Sequence, residues 1–148
     1  MKIILRRAII NDLNILDSIH RENMRGYVEQ NYSWNDNLFK HKFIPDDYIV
    51  LQQQEIIGFL KIAPQNNSLY LGEIQIKSTY QNRGIGTTIL QYIIDRSSIN
   101  YQCIWLQVLK GNPAIRLYRR LGFKTFTETK THYKMQLIFN NNPTIIVS

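Results

Sequence analysis

The sequence is poor in cysteine, with Cys103 alone in 148 residues. A single thiol cannot close an internal disulfide, and with three scattered histidines it gives no metal-ligand spacing. Long apolar runs are missing too. None approaches the roughly 18 residues that a membrane span needs. The opening stretch MKIILRRAIINDLN is broken by Arg6, Arg7 and Asp12, so it does not read as a signal peptide. Acids are scarce in one half. Residues 77–148 hold ten Lys and Arg against Asp95 and Glu128, a balance of +8, whereas residues 1–76 hold eight basic and nine acidic residues, a balance of −1. The basic half suggests an anionic partner, be it phosphate groups, nucleic acid or an acidic protein, although a solvated basic surface reads as well. What is present is ordinary for a globular chain, at 44% hydrophobic and 20% charged residues. The expectation is one soluble, reduced, cytoplasmic domain over residues 1–139, with a polar tail at 140–148.

Periodicity divides the chain into alternating elements. Ile3–Ala8 reads as a strand. From Asp12 a helical stretch puts Leu13, Leu16, Ile19, His20 and Asn23 on one face, with Asp12 or Asn11 as N-cap. Tyr27–Lys42 is polar and aromatic and reads as a broken helical excursion. Tyr48–Gln52, Ile56–Ala63 and Leu69–Ile76 read as strands, the last two joined by a turn at Pro64–Ser68. Gly84 opens a helix to about Ser97 with Ile85, Ile89 and Ile93 at spacing four. Cys103–Leu109 is a strand. The next helix has Asn112 as N-cap, Pro113 at its first position and Gly122 past its end, with Ala114, Leu117, Tyr118 and Leu121 as its stripe. Phe123–Glu128 and His132–Phe139 form a terminal hairpin. This order predicts an α/β fold in three layers, a mixed, mostly antiparallel sheet with helices on both faces.

The stretch from Glu73 to Thr88 carries the most chemistry. A strand runs into a loop, and the loop into a helix whose start contains Gly84 and Gly86. Unpaired N–H groups at such a start bind anions, and Arg83 adds a fixed charge. A Walker loop is excluded, because Gly86 is followed by Thr87 and Thr88. A dinucleotide fingerprint is excluded, because Ile89 stands where it needs a third glycine. An ordinary strand-to-helix turn also fits a Gly-x-Gly pair.

Two segments carry a family resemblance. Gln81-Asn82-Arg83-Gly84-Ile85-Gly86 resembles the pyrophosphate-binding motif of the GNAT-superfamily N-acetyltransferases, Gln/Arg-x-x-Gly-x-Gly/Ala. Asn112-Pro-Ala114-Ile-Arg-Leu117-Tyr118-Arg-Arg-Leu121-Gly122-Phe123 is similar to that superfamily's second motif. The two occur in order, each on its expected element, and the similarity spans about Tyr48 to Leu137.

The resemblance implies a cosubstrate, acetyl-CoA, and no metal. Its pantetheine arm would lie between the splayed strands Leu69–Ile76 and Cys103–Leu109. Its pyrophosphate would sit on the N–H groups of Arg83 to Thr87, with Gln81 and Asn82 in the same loop. The backbone at Ile74 and Ile76 would hold the arm and polarise the thioester, and Asn112 would bond the arm besides capping its helix. CoA phosphates would also account for the basic half without nucleic acid. Acetyl transfer needs a neutral amine, although a lysine-like amine, with pKa about 10.4, arrives protonated, and it needs a proton for the departing thiolate. Tyr118 matches the family's general acid; from the residues alone it is equally a core aromatic. Glu73, the one acid of its strand, is the candidate base, directly or through water, or else an exposed strand glutamate. Some relatives place a base on the next strand, where this chain has Trp105-Leu-Gln107-Val108, and Gln107 cannot serve.

Acceptor contacts would come from the N-terminal helices and the last hairpin, with Tyr27, Trp34, His132 and Tyr133 as candidates. Glu22, Glu29, Asp36 and Glu73 beside such aromatics would suit a cationic amine; the same aromatics could simply cover the core. The reading is direct acetyl transfer to a primary amine, a small molecule in preference to a protein or peptide. A non-catalytic CoA-binding regulatory module is the alternative. No membrane partner is expected, and the chain would be a monomer or a homodimer.

Overall fold

The computed structural model describes residues 2–140 and Val147. The strands are β1 (Ile4–Arg7), β2 (Tyr48–Gln52), β3 (Ile56–Gln65), β4 (Ser68–Ile76), β5 (Cys103–Leu109), β6 (Lys124–Glu128) and β7 (His132–Ile138). The helices are α1 (Leu13–Val28), α2 (Leu38–Lys42), α3 (Ile85–Asn100) and α4 (Ala114–Arg120). The strands form one seven-stranded sheet in the order β1-β2-β3-β4-β5-β7-β6. Every neighbour pairing is antiparallel except β4 with β5.

Two apolar cores lie on opposite faces. One gathers Leu60, Leu69, Leu71, Ile104 and Leu106 with Ile85, Ile89 and Ile93 of α3 and Ile115 and Tyr118 of α4. The other gathers Val50 and Phe59 with Leu16 and Ile19 of α1 and Phe39 of α2. Neighbours Val50 and Leu51, and Phe59 and Leu60, are divided between the two, as side-chain alternation along a strand requires.

β4 departs from regular alternation at one residue. Lys61 of β3 faces Glu73 and Ile62 faces Leu71, so Gly72 is left opposite nothing, a one-residue bulge. Leu69 and Leu71 point into the α3 core before the bulge. After it, Ile74 and Ile76 pack on that core, and Glu73 and Gln75 reach His20 and Asn23 of α1. Strict period-two reading of the strand would have put Glu73 on the same face as Leu71.

Local details differ from the sequence expectation in three places. β3 runs through Pro64, which pairs opposite Leu69, so the turn shrinks to Asn66 and Asn67. Asp12 does not cap α1. Its carboxylate turns back to accept from the Ile9 N–H at 2.8 Å and from Arg6 at 2.8 and 2.9 Å. The Arg6 hydrogen bond above all holds that carboxyl below the usual carboxylate range. In α4, Ile115 is buried and belongs to the core, whereas Ala114 and Leu117 are half-buried and line a groove. The expected tail, apart from Asn140 and Val147, lies outside the described residues.

The end of α4 follows the residue pattern closely. Pro113 already has helical angles (φ −61°, ψ −20°), and Asn112 Oδ1 accepts from the Ala114 N–H at 2.9 Å. Gly122, at φ +102°, closes the helix. The Phe123 N–H donates to Tyr118 C=O and the Gly122 N–H to Arg119 C=O, each at 3.0 Å, which is a Schellman turn. Phe123 then packs edge-on against Tyr118, ring centroids 5.9 Å apart.

A Cβ on Gly122 would sit 3.2 Å from Leu137 Cδ1 on a backbone that disfavours L side chains. Gly122→Ala is therefore expected to cost about 1–2 kcal/mol, seen as a thermal midpoint several degrees lower. An unchanged midpoint would show that this turn does not hold the helix end.

Candidate functional site

The parallel ladder between β4 and β5 stops at Leu71 and Leu106. Beyond it β4 stays on β3 and β5 stays on β7, so the two strands part and leave a groove of about 1330 Å³. Gly72–Ile76 form one wall, Gln107–Leu109 the other, with Tyr118 and Leu117 of α4 beside them. Lys77 donates its N–H to Ile57 C=O on the β3 side. Alternation then turns the backbone groups of Ile74 and Ile76 towards the gap, where β5 does not reach them.

At one end of the groove the loop after β4 enters α3. Asn82 (φ +61°) and Gly84 (φ +79°) both take left-handed backbone conformations. The first intrahelical bond is Thr88 N–H to Gly84 C=O, at 3.0 Å. The N–H groups of Ile85, Gly86 and Thr87 therefore precede the ladder and face open space, and a Cβ on Gly84 would touch nothing within 4 Å. This is an anion cradle opening into the groove. Arg83 is not part of its lining; its guanidinium lies over the Tyr80 ring, 5.3 Å from the centroid.

The loop is tied to the strand and to α1 through one carbonyl. Ile76 C=O accepts from Asn23 Nδ2 at 2.8 Å and from Gln81 Nε2 at 2.9 Å. Both lone pairs are thus in use, and Ile76 has its N–H left to offer a ligand. Gln81 acts from its side chain as a brace for the loop. Asn23 also donates to Gln75 Oε1 at 3.0 Å, and Gln75 donates to Glu73 Oε1 at 3.1 Å. Glu73 Oε1 in turn contacts His20 Nδ1 in a short hydrogen bond, both side chains being mostly buried. His20, Asn23 and Gln75 were not read as site residues from the sequence. The available signal was two polar residues on an otherwise apolar helix stripe.

Tyr118 faces the groove from α4, and its hydroxyl makes no hydrogen bond to another described residue. Burial, and then the negative charge of Glu73, push its hydroxyl up to about 12. Tyr48, on the opposite core, is also raised, by burial and then by Glu73. The carboxylate thus acts on tyrosines of both layers. Of the acceptor candidates, Tyr27 and His132 line this groove, and burial lowers the His132 imidazole. Trp34 lines a second cavity that also reaches His20 and Glu73. Tyr133 lines neither; Lys110 and Arg119 approach its ring. Of the expected acids, Glu22 and Glu73 line the groove, and Glu29 and Asp36 do not. Glu29 is paired with Arg25 at 2.6 Å, Asp36 accepts from the Trp34 indole, and Glu22 accepts from Ser78. The basic half is spread out, and among the described residues Arg120 is the one Lys or Arg on the groove wall.

A family model for the GNAT acetyltransferases matches residues 13–123. The chain belongs to this family. It is 31% identical over 85 residues to the [ribosomal protein bS18]-alanine N-acetyltransferase of Haemophilus influenzae, covering 57% of this chain and 58% of that one. It is 35% identical over 63 residues to the spermine/spermidine N(1)-acetyltransferase of Bacillus subtilis, covering 40% and 41%. The matches thus span about half the length of these curated relatives. In fold, the chain resembles a PaiA N-acetyltransferase from Thermoplasma acidophilum solved with coenzyme A, with TM-score 0.78 and 19% identity over 94% of this chain and 100% of that one. Among the described residues no helix is long and apolar enough to cross a membrane, and no cluster of three or more His, Cys, Asp or Glu is placed to hold a metal ion.

As a GNAT member the protein should be stabilised by acetyl-CoA, by about 2.7 kcal/mol at a hundred times its Kd. Gly84→Glu, which sets a negative charge before the free N–H groups, is expected to abolish that thermal shift. Gly84→Asn, tolerant of the same backbone and uncharged, should retain part of it. Equal shifts in wild type and Gly84→Glu would overturn the cradle.

Proposed function

We propose that the chain transfers an acetyl group from acetyl-CoA to a primary amine, a small molecule in preference to a protein, directly within a ternary complex. The observation that carries this reading is the placement of Glu73 and Tyr118 on one groove, at whose far end the N–H groups of Ile85 to Thr87 stand free. A binding-only module has no use for a buried carboxylate–histidine pair beside an unpartnered phenol. Ribosomal-protein alanine and spermine or spermidine, named for the two relatives, share a primary amine, which supports the general class.

Acetyl-CoA supplies an acyl group already activated as a thioester. The residues fit it along the whole groove: the α3 cradle for the pyrophosphate, the unpaired edge of β4 for the amide arm, and Asn112 Nδ2 as a further donor. Asn112 Oδ1 is committed to the helix cap, which leaves its Nδ2 as the donor, and the residue lines the groove. Glu73 takes a proton from the incoming ammonium, directly or through water, so that nitrogen can attack; the C–N bond forms to give a tetrahedral adduct, and the C–S bond then breaks. The backbone N–H at the gap edge of β4 stabilises the oxyanion. Tyr118, whose hydroxyl at about 12 stays protonated throughout the physiological range, gives its proton to the thiolate. The second proton that nitrogen sheds after attack restores the Tyr118 phenol by way of solvent, and the proton taken by Glu73 returns to solvent. Ammonium and thioester thus become amide, thiol and one released proton.

Tyr118→Phe is expected to lower kcat by about 10²-fold or more while acetyl-CoA binding stays at the wild-type value. Retained kcat would remove the acid role. Glu73→Gln should reduce kcat/KM most at low pH, where the acceptor is almost wholly ammonium. A variant with the wild-type pH profile would show that the proton leaves by another route.

A further inference from the structure

The second cavity, about 290 Å³, lies between α1, α2 and the loop carrying Ser33 to Asn35. It meets the groove at His20 and Glu73, which line both. Its walls are mainly apolar, with Trp34, Phe39 and Tyr48 around it. We infer that this cavity holds the body of the acceptor, and that it selects a primary monoamine with an aryl-alkyl body over a polyamine. This rests on the acetyl-transfer reading above and names its acceptor class.

Charge and ring geometry carry the argument. An ammonium group is drawn to Glu73, the acid shared with the groove. A second ammonium on the same molecule, a few methylenes away, would have to enter the cavity, and the cavity does not receive cations. Asp17, its other acid, is already held by Arg21 at 2.6 Å, with Lys40 at 3.9 Å. Lys42 and Lys61 stand on the wall as like charges. Two of the rings each already have a neighbour on one face. Lys61 Nζ lies over the Tyr48 ring, 5.7 Å from its centroid, and His20 stacks on Trp34 at 5.6 Å. A second cation there would be desolvated beside Lys42 and Lys61, with Asp17 already paired and Glu73 engaged by the first ammonium, so no carboxylate is left to offset the cost. A phenyl or indolyl group instead meets rings and aliphatic carbon, and the volume is near the lower end of ligand pockets, about 300 Å³. Phe39 is nearly buried and packs against Phe43 and Tyr48 in tilted contacts and against Phe59 edge-on, which fixes the back wall. Trp34, in the loop and only half-buried, is the specificity residue.

Two readouts test this separately from catalysis. Calorimetric titration of the CoA-saturated protein with 2-phenylethylamine should show binding at least about tenfold tighter than with spermidine. Trp34→Ala should weaken it about tenfold, while leaving the thermal shift from acetyl-CoA unchanged. Initial rates of CoA release should rank the two amines in the same order, and Lys61→Glu should move the ratio towards spermidine. Tighter binding of spermidine, or 2-phenylethylamine binding that ignores Trp34→Ala, would overturn the inference. A higher kcat/KM for spermidine or for a peptide N-terminus would overturn the selectivity and leave acetyl transfer standing. Trp34-dependent binding with no CoA release from any amine would overturn acetyl transfer and leave the ligand class of the cavity standing.

Discussion

A single unpaired residue, Gly72, organises the functional half of this molecule. A bulge adds one residue to one strand, so every side chain after it changes face while the backbone bends away from its neighbour. Here both consequences fall at the same point. β4 leaves β5 just beyond Leu71, opening a groove between two strands that would otherwise pair. Glu73 and Gln75 turn from the α3 core towards α1, where His20 and Asn23 meet them. Without the bulge a carboxylate would be pushed into a core of Leu, Ile and Met, where burying an unpaired charge costs several kcal/mol or forces its neutralisation.

The polar residues that receive this strand form one connected chain, from His20 through Glu73, Gln75 and Asn23 to Gln81 and the Ile76 carbonyl. Such a chain is costly if half-satisfied and rigidifying when complete. It joins three parts of the sequence far apart in number: the helix near residue 20, the strand near 75 and the loop at 81. The anion cradle and the carboxylate are thereby held at a fixed separation, and neither depends on a flexible side chain reaching across the groove.

The sequence made the order of elements legible because the apolar periods are strong and the punctuation is unambiguous, as with Asn112, Pro113 and Gly122 around α4. It also placed Gly84, Gly86, Asn112 and Tyr118 at positions that do line one groove. The bulge left a trace that reading the strand as continuous passes over: its apolar positions step from Leu69 and Leu71 to Ile74 and Ile76, slipping by one at Gly72, and which residue is skipped depends on how β3 pairs. Of the acids read as a cationic-substrate wall, Glu22 and Glu73 line the groove and Glu29 and Asp36 do not. Glu29 is satisfied within its own helix by Arg25 and Asp36 by a neighbouring indole, contacts that spacing alone did not rank against a distant site. His20 and Asn23 were visible as polar members of an apolar stripe, but their partners on β4 were 52 or 53 residues away.

The Schellman turn after α4 has a consequence for where the molecule opens first. β6 is exposed along its whole length and lies at the sheet edge, paired with β7 alone. Its amides should exchange with solvent through shallow, local fraying. Tyr118 and Phe123, nearly buried and joined through the Tyr118 carbonyl and their ring contact, belong to the last-opening part of the protein. The boundary between the least and the most protected segments of the chain thus falls within two residues, at Gly122 and Phe123. The phenol that faces the groove is insulated from the motion of the strand that follows it.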